Sequence, residues 1–82
     1  MSRHEVVSPI PGVFYRRPDP QSAEFAKPGQ AVGTDDTVGL VEVMKSFYHV
    51  PAGAAGTVVE FVVENEDVVD AGQVLAVVEV DG

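Results

Sequence analysis

The sequence predicts an all-β domain with its strands folded into a flattened barrel or sandwich. Three observations carry that reading. Eighteen of the 82 residues are Val, against one Ile and two Leu, and β-branched side chains pack well on a pleated surface. Turn formers recur at short intervals: Pro9, Pro11-Gly12, Pro18-Asp19-Pro20, Pro28-Gly29, Gly53, Gly56, Asn65 and Gly72. No stretch between them has the apolar spacing of an amphipathic helix, so the pieces read as many short strands.

Taken in order, Gly12-Val13-Phe14 opens the first clear strand after an N-terminus, with His4, that is expected to fray. Arg16 to Phe25 follows, with two prolines among polar neighbours, and reads as a stiff exposed loop. Leu40 to Val50 holds eleven residues without Gly, Pro, Asn or Asp, long for one strand of about 5–6 residues. As a single strand it would set Lys45 on the face of Val41, Val43 and Phe47, where an unpaired ammonium is costly to bury. A hairpin bent at Met44-Lys45-Ser46 avoids this, although it lacks the Asn-Gly or Asp-Gly pair that short hairpins favour. Local rules broken in this way concentrate at functional sites. Thr57 to Glu64 reads as a strand with Val59, Phe61 and Val63 on one face. Val74 to Val80 is almost wholly apolar and is expected to be covered on both sides.

An internal repeat links these pieces. Leu40-Val41-Glu42-Val43 returns 37 residues later as Val77-Val78-Glu79-Val80, and at the same offset Val32 meets Val69 and Val38 meets Leu75. Gly12-Val13-Phe14 resembles Gly56-Thr57-Val58, but the first half then takes about seven more residues to reach its next match, which places an insertion around Arg16–Phe25. The repeat predicts two similar four-strand halves about a pseudo-twofold axis.

Composition narrows the function. Eighty-two residues make one small domain. Thirteen acids against five bases, a net charge of −8, disfavour nucleic acid and anionic membranes. There is no Cys, so thiol catalysis, disulfides and Cys-based zinc sites are out. No apolar run approaches the ~20 residues of a membrane helix, and no secretory pattern opens the chain; a cytoplasmic protein is expected. His4 and His49 lack a spaced carboxylate partner, and Asp35-Asp36 and Glu64-Asn65-Glu66-Asp67 lack a calcium-loop pattern, so no metal site is expected. No nucleophile–base constellation points to a catalyst. Arg16 and Arg17 read as surface residues, with an anion-ligand role as the alternative. An exposed Lys45 stays mostly charged, a poor catalyst but a good attachment point for another enzyme.

Val41-Glu42-Val43-Met44-Lys45 resembles the Glu-Ala-Met-Lys signature of biotinyl domains. Ser8-Pro9-Ile10-Pro11-Gly12-Val13-Phe14-Tyr15-Arg16 is similar to the opening region of the biotin carboxyl carrier family of acetyl-CoA carboxylase. Gly29-Gln30-Ala31-Val32, Asp36-Thr37-Val38 and Gly56-Thr57-Val58 also fall at family positions, so the resemblance covers roughly residues 6–80. Val43 and Ser46 depart from the family's usual Ala and Met around the Met-Lys pair.

The resemblance implies two four-stranded antiparallel sheets in a single domain, 1–82, with Lys45 on a tight hairpin and a protruding thumb loop at about 16–25 that includes Pro18, Asp19 and Pro20. It implies biotin as a covalent cofactor on Lys45, attached by biotin protein ligase, with Met44, Glu42 and Ser46 around the attachment point. Biotin carboxylase and a carboxyltransferase acting on an acyl-CoA are the implied partners, with the thumb able to lie against biotin. The carrier families often add a long N-terminal segment; a chain opening so near the domain is expected to be an excised or minimal carrier, or one that diffuses whole between sites. Two rivals are a lipoyl carrier of a 2-oxoacid dehydrogenase complex, which usually has Asp where Met44 stands, and an unmodified β-sandwich interaction domain.

Overall fold

The computed structural model describes residues 2–80, and they form eight strands and no helix. The strands are β1 (Ser2–Val7), β2 (Gly12–Tyr15), β3 (Ala31–Val32), β4 (Thr37–Val43), β5 (Ser46–Pro51), β6 (Gly56–Phe61), β7 (Val68–Val69) and β8 (Val74–Val80). They make two four-stranded sheets, ordered β1-β8-β6-β3 and β5-β4-β2-β7, with every pairing antiparallel. The predicted fold class is therefore observed. The described chain measures 38 × 27 × 19 Å, its short axis about that of two packed sheets.

The repeat is real in the backbone. Adding 37 to the bounds of β3 and β4 gives β7 and β8 residue for residue. The hydrogen bonds of the turns repeat too: Gly29 N–H donates to Val58 O at 2.7 Å, and Glu66 N–H donates to Phe14 O at 2.6 Å. A side chain on Gly12 would collide with the carbonyl of Glu42, and one on its mate Gly56 with the carbonyl of Glu79; only Gly permits that approach. The two halves do not, however, each form a sheet. Each sheet takes two strands from either half, so the halves interlock, and neither core face exists without both.

Between the sheets lie Val6, Phe14, Val38, Val41, Val50, Val58, Val69, Leu75, Ala76 and Val78, all buried. Successive residues Leu75 and Ala76 of β8 are both fully buried, as expected for that strand.

Two expectations need correction. The N-terminus is not frayed: β1 pairs with β8 from Ser2↔Val80 to Val7↔Val74, His4 lies opposite Val78, and Val6 is core. That strand carries little apolar pattern of its own and is held by a partner 67 to 78 residues away in sequence. In β6 the core residue is Val58, not Val59. A bulge between Val58 and Glu60 shifts the register and leaves Val59 half-buried, while Phe61 packs against the core and Val63 is buried, as expected.

Candidate functional site

β4 and β5 form a hairpin whose last ladder pair is Val43↔Ser46, leaving Met44 and Lys45 as a two-residue turn. Both have positive φ, 51° and 66°. This is the left-handed geometry that suits the twist of a two-residue hairpin and normally selects Asn-Gly. Placing two ordinary side chains there costs about 1–2 kcal/mol each. The ladder behind the turn, with pairs back to Thr37↔Pro51, imposes the conformation regardless. Met44 is 94% exposed, and Lys45 and Ser46 are exposed beside it. The amine thus stands at the apex of a rigid hairpin.

Glu42 lies one turn-length back, paired with Phe47 on β5 and with Val13 on β2. Paired residues project to the same face, so Glu42 and Phe47 share the outer face with Tyr15. The Tyr15 hydroxyl donates to Glu42 Oε1 at 3.1 Å, and its ring packs 6.3 Å from that of Phe47. The hydrogen bond to Glu42 raises the Tyr15 pKa above its ordinary 10.0, with burial and then the charges of Glu42 and Glu66 adding to it.

The inserted segment stands over this face. Asp19 organises its tip: its carboxylate accepts from the Gln21 N–H at 2.9 Å and the Ser22 hydroxyl at 2.7 Å. Those bonds, the Ser22 hydroxyl foremost, hold Asp19 below the ordinary carboxylate pKa. Its base is closed by Phe25 N–H donating to Arg16 O at 2.9 Å. Glu24 bridges Arg16 at 3.2 Å and Arg17 at 3.8 Å. The Arg16 guanidinium also lies 4.1 Å over the ring of Phe61, and the Arg16 backbone N–H donates to Asn65 Oδ1 at 2.9 Å. Arg16 is therefore a structural tie between thumb and barrel. Phe25 packs edge-on against His49, whose Nδ1 is 3.2 Å from the Thr37 hydroxyl.

Between thumb and sheet runs a groove of about 340 Å³, lined by Tyr15, Arg17, Pro18, Asp19, Pro20, Phe47, Asn65 and Glu66. Volumes of this order suit small-molecule sites. The groove brings Pro18, Asp19 and Pro20 to one wall and Phe47, two residues after Lys45, to the floor. Four lining residues were not expected from sequence. Phe47 and Tyr15 were legible once the turn was placed, because the turn fixes which residues share the outer face. Asn65 and Glu66 carried no such signal; their turn reaches the groove only through the fold.

The profile of the biotin-requiring enzyme family matches residues 4–78. The chain belongs to that family. It is 46% identical over 70 residues to the biotin carboxyl carrier protein of acetyl-CoA carboxylase from Chlamydia muridarum, covering 85% of this chain and 43% of that protein. The protein of the same name from Pseudomonas aeruginosa is 41% identical over 70 residues, 85% of this chain and 45% of that one. The chain thus spans less than half the length of these two relatives. In structure it resembles part of the urea carboxylase of Kluyveromyces lactis, with a TM-score of 0.80 and 28% identity over 96% of this chain and 6% of that one.

Proposed function

We propose that this chain is the covalent biotin carrier of an acetyl-CoA carboxylase-type system, and that Lys45 is the attachment residue. The observation that carries the reading is the Lys45 amine at the apex of a two-residue, left-handed hairpin, in a chain of the biotin-requiring family. The apex keeps the amine away from competing side chains, and the paired strands keep it in one place for an enzyme that must deprotonate and acylate it. The hairpin is rigid and the lysine stem is not, so the cofactor would move on a tether from a fixed point.

Residues 2–80 act as one carrier unit and not as a catalyst. Biotin protein ligase would load Lys45, biotin carboxylase would charge the cofactor, and a carboxyltransferase would unload it onto an acyl-CoA. When bound, biotin supplies a ureido nitrogen that takes up and gives back a carboxyl group. The protein's own part is proximity, since tethering raises the cofactor's effective concentration at successive sites. Met44 and Ser46 flank the amine and would be read by the ligase with it. Glu42, bonded to Tyr15, fixes the strand behind them. The groove fits the cofactor chemically: a bicyclic ring with an apolar edge and a polar ureido end matches a lining of proline and aromatic faces with polar residues at the rim. Along β5, Phe47 lies about 7 Å from Lys45, within reach of a lysine stem lengthened by a five-carbon acyl chain. The setting is cytoplasmic, and the net charge of −8 suits basic docking faces on the partner enzymes.

Coexpression with biotin ligase tests the reading. One biotinyl group is expected by intact mass, and peptide mapping is expected to put it on Lys45. Label on Lys27, or a Lys45→Arg protein that streptavidin still captures, overturns it.

A further inference from the structure

Glu66 is an anomaly that the fold does not require. It has φ +71°, a left-handed conformation in which a side chain is strained. Its equivalent in the first half is Gly29, also left-handed at φ +89°. The two turns match bond for bond. Gly29 N–H donates to Val58 O as Glu66 N–H does to Phe14 O. Gln30 N–H donates to Lys27 O as Asp67 N–H does to Glu64 O, and Lys27 N–H meets the Gln30 side chain as Glu64 N–H meets that of Asp67. One half therefore fills the position with the residue the backbone prefers, and the other places a carboxylate there. The first-half position faces open space, with nothing within 4 Å of where a side chain would start. The second-half position borders the groove, which Glu66 lines together with Pro18, Asp19 and Pro20. Strain retained at such a place points to a ligand.

The groove's charges say which ligand. Its lining has two carboxylates, Asp19 and Glu66, against one guanidinium, Arg17. The carboxylate of Asp19 is already engaged by Gln21 and Ser22, and Arg17 lies 3.8 Å from Glu24. Among the described residues, Glu66 has no side-chain hydrogen bond or ion pair, and its charge is close enough to act on the Tyr15 hydroxyl. An unengaged carboxylate beside aromatic faces accepts from an N–H donor and repels an anion.

We propose that Glu66 accepts a hydrogen bond from the one ureido N–H of docked biotin whose hydrogen carboxylation replaces, and that it thereby makes the groove selective for the uncarboxylated cofactor. The inference rests on the carrier reading above. A carboxyl group on the ureido nitrogen takes the place of the donated hydrogen and adds a negative charge facing Glu66. The charged cofactor is therefore released from the thumb and offered to the next enzyme, while the empty one is parked.

The test uses the protein biotinylated at Lys45, with loading verified by intact mass. NMR contacts between the biotin ring and the rings of Tyr15 and Phe47 report docking, and the ureido N–H shift reports its hydrogen bond. Glu66→Gly is the key variant, since the backbone there already has glycine geometry; Glu66→Gln keeps an acceptor and removes the charge, and Glu64→Gln lies outside the groove lining. Docked population is expected to fall about three- to ten-fold in Glu66→Gly, less in Glu66→Gln, and to stay unchanged in Glu64→Gln. Carboxylating the cofactor is expected to abolish the contacts in the wild type and to make little difference in Glu66→Gly. Undiminished contacts in Glu66→Gly, a ring that never contacts the groove, or a carboxylated ring that stays docked each overturn the proposal while leaving the carrier reading intact. Failure of the ligase to load Lys45 overturns both.

Discussion

The Tyr15 hydroxyl donates to Glu42 Oε1 at 3.1 Å, joining the strand that leads into the thumb to the strand that leads into the Lys45 hairpin. One bond thus ties the thumb and the hairpin to a common floor. It favours the neutral phenol, so the Tyr15 pKa is raised in the fold. The stabilisation is fully present below the unfolded value near 10 and is lost as pH rises through the higher folded value. In a Tyr48→Phe background, absorbance titration is expected to find Tyr15 ionising above 10. Glu42→Gln should bring it down most and Glu66→Gln less. A Tyr15 that titrates identically in all three proteins would remove the link.

The hairpin gives a trade between stability and function. Replacing Met44-Lys45 by Asn-Gly supplies the residues that the observed φ values favour. The double variant is expected to be more stable by about 1 kcal/mol in urea melts, and to accept no biotin. Lys45→Ala alone should change stability by less than about 0.5 kcal/mol, because the side chain is exposed. A large loss from Lys45→Ala would mean that the lysine is part of the packing.

The core offers a graded comparison. Phe14 is fully buried, and its ring occupies the space that a side chain on Gly39 would need. Phe14→Ala is expected to cost about 3–5 kcal/mol. Phe61 is only half-buried, beneath the Arg16 guanidinium, and Phe61→Ala should cost clearly less, about 2 kcal/mol. Equal losses would contradict the placement of these rings.

The tip of the thumb should respond to acid. Asp19 is held below the ordinary carboxylate pKa of 3.8 by the Ser22 hydroxyl and the Gln21 N–H. A lowered folded value means that the order it confers is present above 3.8 and is lost as pH falls through the folded value. Ser22→Ala is expected to move the Asp19 carboxyl titration, followed by NMR, back toward 3.8 and to loosen the tip at neutral pH. An unchanged titration would show that the Ser22 bond does not form.

Much of this architecture was legible because it is written twice. The 37-residue offset that joins Leu40–Val43 to Val77–Val80 reappears as the bounds of β4 and β8, and the missing turn formers at Met44-Lys45 marked the apex. What stayed hidden depends on partners distant in sequence. β1 has no strong pattern and is held by β8. The bulge after Val58 turns Val58 inward in place of Val59. Glu66 looked like one more acid in a polar turn, because the left-handed φ that sets it apart is invisible in composition.

The thumb supplies the last prediction. The second half closes the same path with about seven fewer residues, and the Arg16–Phe25 hydrogen bond already joins the ends of the inserted segment. Its tip, Pro18 to Ser22, adds no residue to the buried core. Replacing residues 18–22 by a short Gly linker should therefore leave stability within about 1 kcal/mol, since loop length costs little entropy. Ligase labelling of Lys45 should persist, because the hairpin turn is made by β4 and β5 alone. The groove, however, loses a wall at Pro18, Asp19 and Pro20. The biotin ring should then show fewer NMR contacts with Tyr15 and Phe47 and faster local motion. Unfolding of this variant would show that the tip supports the barrel, and unaltered ring contacts would show that Tyr15, Phe47 and Glu66 hold the cofactor without it.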